Sequence, residues 1–114
     1  MPKLAVVVNC VSGVAHSYIA KNAILFGAKK RGFEVNVEIQ GTLGIENRLT
    51  PQQIADADVI LLTKDLAIRD IKRFAGKKVL QKYYSRDLIK ITDKVLDDVY
   101  ALIEYNNTEE STTK

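Results

Sequence analysis

The chain reads as an α/β domain built on an open sheet of parallel strands, and three observations predict it. Residues 4–8 and 59–62 are apolar without interruption, as central strands covered on both faces are. Four strand candidates alternate with helical patterns, the signature of parallel strands joined by crossover helices. The run Glu34-Val35-Asn36-Val37-Glu38-Ile39-Gln40 instead alternates polar and apolar side chains, as expected at an edge. With the first and third strands central and the second and fourth outside them, the sheet is four-stranded in the order 2-1-3-4. Right-handed crossovers build this order directly. Helices then cover both faces, a Rossmann-like arrangement.

The elements follow in order. After the strand at 4–8, a helix is expected over 15–30, stopping at Gly32. Ala15, Ile19, Ala23, Phe26 and Lys30 fall along one stripe of it, with Tyr18 and Leu25 on the margins. The second strand is 34–40. A short helix then opens on a strong local signal: Thr50 as N-cap, Pro51 at the first helical position and Gln53 completing a capping box. It ends by Ala57, because the next strand begins at Asp58. Residues 65–74 hold a short helical turn closed by Gly76, and residues 78–83, mixed in polarity, form the other edge. The last helix, over 85–104, carries Leu88, Ile91, Val95, Val99 and Leu102 at three- and four-residue steps, most simply its sheet-facing stripe. Residues 1–105 form a single domain. Residues 106–114 contain only Asn, Thr, Glu, Ser and Lys and are expected to be a disordered tail.

Composition narrows the function. The 114 residues are 46% hydrophobic and 27% charged, which fits one domain with its own core. A single cysteine cannot form an internal disulfide and suits a reducing compartment. No secretory start and no apolar run long enough to cross a bilayer is present, so a cytoplasmic location is expected, with any membrane association coming through a partner. Seventeen Lys and Arg against fourteen Asp and Glu leave +3, too little to imply nucleic-acid binding. Lys29-Lys30-Arg31 and Lys77-Lys78 are solvated helix and turn ends or a docking patch for an acidic partner. No metal or cofactor is expected: the carboxylates lack ligand spacing, and one Cys with one His is too few for zinc.

The chemistry centres on Cys10. It lies in Asn9-Cys10-Val11-Ser12-Gly13, between the first strand and the first helix. A thiol there faces unsatisfied backbone N–H groups and the positive end of the helix dipole, which favour a thiolate and a bound phosphoryl group. The alternative, a buried structural cysteine, fits the position poorly. In an open parallel sheet ligands bind beyond the carboxyl ends of strands at the topological switch point, here between the first and third strands. Thr63-Lys64-Asp65 closes the other side. Gly13 can adopt positive φ and bring N–H groups close to an anion. Ser12 and Ser17 either donate hydrogen bonds to sulfur or phosphate or serve as turn and helix caps. His16 stands six residues after Cys10, where cysteine-dependent phosphatases of the Cys-x5-Arg type place their phosphate-clamping arginine. The apparatus for hydrolysis is therefore incomplete, while the cradle for a phosphocysteine remains. His16 adds partial positive charge or a hydrogen bond, or is simply a helix residue near the surface. The candidate site is thus Cys10 as nucleophile, with Val11, Ser12, Gly13, Val14, Ala15, His16 and Ser17 around the phosphoryl group.

At these residues the chain resembles the fructose-specific IIB domain of the bacterial phosphoenolpyruvate-dependent sugar phosphotransferase system. That family's active loop is Cys-Pro-Thr-Gly-Ile-Ala-His-Thr; here it stands as Cys10-Val11-Ser12-Gly13-Val14-Ala15-His16-Ser17. A glycine-rich stretch after the second strand is matched by Gln40-Gly41-Thr42-Leu43-Gly44-Ile45-Glu46-Asn47, then Leu49-Thr50. Ala57-Asp58-Val59-Ile60 and Arg73-Phe74-Ala75-Gly76-Lys77 follow in the family's order. The likeness covers residues 3–80. Val11 replaces the usual proline, so the loop loses one fixed φ.

The resemblance implies a phosphoryl relay: a phosphohistidine on a IIA domain donates to Cys10, and the phosphocysteine phosphorylates fructose or a related hexose held by a membrane IIC component. The chain would then be cytoplasmic and peripheral to the inner membrane through that partner. Two rivals share the loop. One is a regulatory IIB-like module that senses phosphorylation; the other is a small cysteine phosphatase, disfavoured by His16 at the arginine position. The 41–47 loop either contacts the phosphocysteine or a partner, or is a glycine turn.

Overall fold

The structure is a computed structural model describing residues 2–9, 14–41 and 44–113; for Val14 and residues 104–113 it describes the backbone alone. Strand β1 (Lys3–Val8) leads to helix α1 (Val14–Lys30) and strand β2 (Glu34–Gly41). A short strand β3 (Gly44–Glu46), helix α2 (Pro51–Asp56) and strand β4 (Val59–Thr63) come next. A 3-10 turn (Ile71–Phe74), strand β5 (Val79–Tyr83) and helices α3 (Ser85–Lys90) and α4 (Thr92–Thr113) complete the chain.

The sheet is α/β as expected but has five strands, in the order β3-β2-β1-β4-β5. The predicted order 2-1-3-4 is embedded in it as β2-β1-β4-β5, all parallel. The added strand β3 turns back against β2, pairing Ile39 with Glu46 and Gly41 with Gly44. A turn-rich sequence hides this strand, because three residues carry no periodicity; Gly44, at φ 137°, is what lets the chain reverse.

Residues 4–8 of β1 and 59–62 of β4 are apolar without interruption because each strand faces two cores. Leu4, Val6, Val8, Val59 and Leu61 pack under α1, α3 and α4. Ala5, Val7, Ile60 and Leu62 pack on the opposite face with Leu49, Ile54 and Phe74. The predicted cap of α2 is present: the Thr50 hydroxyl accepts from Gln53 N at 3.1 Å and Gln53 Oε1 accepts from Thr50 N at 2.9 Å.

Three expectations change in the fold. The Ala15–Lys30 stripe of α1 faces outward: Ile19 is 53% and Phe26 67% exposed. The inward face is made of Ser17, Ala20, Ile24, Gly27 and Ala28. Small side chains carry little hydrophobic signal, yet they allow close helix packing. At Gly27 a Cβ would lie 2.9 Å from both Leu96 Cδ1 and Thr92 Cγ2.

The predicted 85–104 helix is broken at Ile91, whose φ is −129° and ψ 45°. The Thr92 hydroxyl donates to the Leu88 carbonyl at 2.5 Å there, competing with the helical ladder. Leu88, Val95 and Val99 are buried as the stripe requires, but Ile91 is exposed. Beyond Tyr105, α4 runs on to Thr113 through a segment whose composition predicts disorder; the sequence there supplies no apolar side chain to bury. Finally, the polar positions of β2 are not uniformly solvent-facing: Glu34 is exposed, but Glu38 and Gln40 are fully buried.

The close approach at Gly27 gives a direct test. Gly27→Leu is expected to destabilise the protein by about 2 kcal/mol through overpacking against α4, read as a lower denaturation midpoint at unchanged m-value.

Candidate functional site

The chain leaves β1 toward β2 on one side, and β4 lies on the other, so the sheet's switch point falls at the carboxyl ends of β1 and β4. Cys10, Val11, Ser12 and Gly13 lie outside the described residues, as do Thr42 and Leu43 of the 41–47 loop. What the structure supplies is the frame on either side of Cys10: Asn9 at the end of β1, and the first turn of α1.

Asn9 is clamped from two directions. Its N–H donates to Thr63 Oγ1 at 3.0 Å, joining the ends of β1 and β4. Its side-chain Nδ2 donates to the Ala67 carbonyl at 3.0 Å, joining β1 to the loop that follows β4. Asn9 and Thr63 are both buried, which makes these bonds costly to lose. The position immediately before Cys10 is therefore rigidly placed.

Val14 opens α1, Ala15 is exposed and His16 is half-buried. Ser17 is buried on the inward face, in the body of the helix; it is not the cap. His16 Nδ1 lies 3.5 Å from Ser85 Oγ, the long end of hydrogen-bonding distance. Ser85 in turn is held by Asp65: Ser85 N donates to Oδ1 at 2.7 Å and Ser85 Oγ to Oδ2 at 2.9 Å. The sequence places Asp65 at the side of the crevice but marks Ser85 only as a helix start. No sequence signal links positions 16, 65 and 85. Lys64 and Arg86 flank the Tyr84 ring, at 5.7 and 4.9 Å from its centroid, and form a basic rim beside this cluster. Tyr18, one turn beyond Ala15, donates its hydroxyl to Glu46 of β3, which raises the phenol's pKa.

Behind the switch point lies a buried ion pair. Arg73 Nη1 and Nη2 meet Glu38 Oε1 and Oε2 at 2.8 and 2.6 Å, a bidentate pair. Gln40 Nε2 donates to Glu38 Oε2 at 2.9 Å, and Leu49 N to Glu38 Oε1 at 2.8 Å. Burial pushes the Glu38 carboxyl up, but the hydrogen bonds from Arg73, Gln40 and Leu49, with the Arg73 charge, outweigh it. The carboxyl is held below its ordinary value. Gln40 also accepts from Arg69 N at 2.8 Å and donates to Arg69 O at 3.2 Å. The 67–73 segment is thus fixed to β2 at one end and to Asn9 at the other.

A groove of about 410 Å³ between α2 and the 3-10 turn is lined by Arg48, Arg73 and Lys77 over Leu49 and Ile54. Its cations are already engaged. Arg48 pairs with Asp70 at 2.8 Å, Arg73 with Glu38, and Lys77 Nζ donates to Ala55 O at 3.0 Å. It contains none of the predicted site residues.

Residues 5–98 match the family model described as PTS system, Lactose/Cellobiose specific IIB subunit. The chain is 44% identical over 101 residues to the PTS system fructose-like EIIB component 2 of Escherichia coli (strain K12), covering 89% of this chain and 94% of that one. It is 35% identical over 107 residues to the fructose-like PTS system EIIBC component of the same organism, covering 92% of this chain but 21% of that longer one. Among solved structures, the predicted fructose-specific IIB from Escherichia coli superposes with a TM-score of 0.84 at 33% identity, covering 90% of each chain.

The buried pair sets two expected outcomes for unfolding measurements. Arg73→Met should cost about 3 kcal/mol, because it strands a buried carboxylate. In the unmutated protein the depressed pKa means that Glu38 contributes fully above its ordinary value of 4.5, and that this contribution is lost as pH falls through the lower folded value. Glu38→Gln should therefore flatten the acid limb of the stability–pH curve; an unchanged acid limb would refute the assignment.

Proposed function

Because the chain belongs to the IIB family of the sugar phosphotransferase system, whose members are phosphotransferases working with IIA and IIC components, we propose that it is a phosphoryl carrier acting through Cys10. The acceptor is fructose or a related hexose, in keeping with the names of its relatives. The observation that carries this reading is the frame on either side of Cys10: Asn9, the residue before it, is clamped at the end of β1, and the motif's last four residues, Val14 to Ser17, form the first turn of α1.

The Cys10 thiolate attacks the phosphorus of a IIA phosphohistidine in line. The S–P bond forms as the N–P bond breaks, and the imidazole leaves. Backbone N–H groups of Val11 to Ala15, with the Ser12 hydroxyl, hold the equatorial oxygens, and His16 adds a hydrogen bond or charge. Little acid–base help is needed, since the leaving group is good and positioning with electrostatics suffices. The phosphocysteine then passes its phosphoryl group to the sugar hydroxyl at a membrane IIC component. Fusion of the relative named EIIBC into one longer chain supports that partnership. No described helix is long and apolar enough to cross a membrane. In this reading the contact with the bilayer runs through IIC, from the cytoplasmic side.

The test is mass spectrometry after exposure to a phosphorylated IIA donor. One phosphoryl group should appear on the peptide containing Cys10, and Cys10→Ser should lose it. Phosphate on another residue, or a Cys10→Ser variant labelled as well as wild type, would end this reading. Partner-free turnover of an aryl phosphate would favour the phosphatase rival, and labelling without onward transfer to sugar the regulatory one.

A further inference from the structure

We infer that Asp65 and Ser85 are positioning residues that decide which nitrogen of His16 carries a proton. The argument is one of hydrogen counting. A serine hydroxyl has a single proton, and a carboxylate can only accept. Ser85 Oγ lies 2.9 Å from Asp65 Oδ2, and Ser85 N lies 2.7 Å from Oδ1, so the carboxylate grips Ser85 through both of its donors. The hydroxyl proton is thereby committed to Asp65. Only lone pairs remain on Ser85 Oγ for its third neighbour, His16 Nδ1 at 3.5 Å. Nδ1 must then be the donor. Neutral His16 is held as the Nδ1–H form, the reverse of what an unconstrained imidazole prefers, and Nε2 is left with a free lone pair.

The three groups come from the loop after β4, the start of α3 and the first turn of α1, and Ser85 is wholly buried among them. A buried serine at a helix start needs only one acceptor for its N–H. Here the same carboxylate also takes the hydroxyl proton, turning the oxygen into an acceptor for the imidazole. The long His16 contact is of the kind that shortens when a reaction site is occupied.

This inference rests on the proposal that His16 attends the phosphoryl group on Cys10. On that basis Nε2 takes a proton from water, and the resulting imidazolium donates it as a hydrogen bond to a phosphoryl oxygen, while Nδ1–H stays on Ser85. When the phosphoryl group departs, the proton returns to water. Asp65 and Ser85 touch neither phosphorus nor sulfur in this scheme; they act through His16.

His16 is the one histidine of the chain, so a long-range 15N–1H correlation spectrum of the labelled protein reads its tautomer directly. At a pH where the ring is neutral, the wild type should show Nδ1–H. Ser85→Ala and Asp65→Ala should each shift it toward Nε2–H, the second by freeing the Ser85 proton to point at Nδ1. Ser85→Ala should also slow phosphoryl uptake from the IIA donor by about tenfold, the order lost when a histidine's orienting partner is removed in metal sites. A wild-type ring in the Nε2–H form overturns the inference whatever the variants do. So does an unchanged tautomer in Ser85→Ala, or a flipped tautomer with an unchanged rate. If the wild type takes up no phosphoryl group at all, the proposed function fails instead, and the tautomer still decides whether Asp65 and Ser85 orient His16.

Discussion

The interaction on which the rest leans is the buried bidentate pair between Glu38 and Arg73. A carboxylate with no exposed surface would be expelled from a core unless its oxygens were satisfied. Here Arg73, Gln40 and Leu49 N–H satisfy them, and each comes from a different stretch of chain. The pair therefore fixes geometry as well as compensating charge. It draws the 3-10 turn and the loop entering α2 onto the carboxyl half of β2, the half that borders the switch point.

From there the constraint passes forward. Gln40 holds Arg69 by both its N–H and its carbonyl. Two residues earlier, the Ala67 carbonyl accepts from the Asn9 side chain. Thr63 takes the Asn9 N–H, so the residue preceding Cys10 is tied to β4 and to the segment that Glu38 organises. A nucleophilic loop gains from such an anchor, since positioning is the larger part of what phosphoryl transfer asks of a protein. On the other flank, the Asp65–Ser85–His16 contacts tie α1 to α3 across the same end of the sheet. The switch point is thus framed by polar bonds on both sides and by apolar packing only underneath.

Much of this was legible in residues close together in the chain. Uninterrupted apolar runs identified β1 and β4 because each strand feeds two cores, and Thr50-Pro51-Gln53 identified α2 because a capping box is a four-residue device. The Cys10–Ser17 motif, with its neighbours around Gly41 and Arg73, pointed to the family to which residues 5–98 belong. Other readings failed for identifiable reasons. Ile19 and Phe26 outweigh Ala20, Gly27 and Ala28 in any hydrophobic pattern, yet the small residues face the core because α4 approaches too closely for larger ones. The alternation in β2 looked like a wetted edge, since nothing near Glu38 in sequence shows that an arginine thirty-five positions later will neutralise it.

What the sequence determined by itself is whatever depends on short range: strand and helix identity, caps, and the order of a nucleophile, hydroxyls and imidazole along one loop and turn. Periodicity and capping act over one or two helical turns, so they survive without a fold. Only the tertiary structure decided which polar groups are buried, where the last helix breaks, and that Asp65 and Ser85 stand beside His16. The Glu38–Arg73 pair and the contacts of Asp65, Ser85 and His16 join residues 20 to 69 positions apart, and such distances close only once the sheet has set its register.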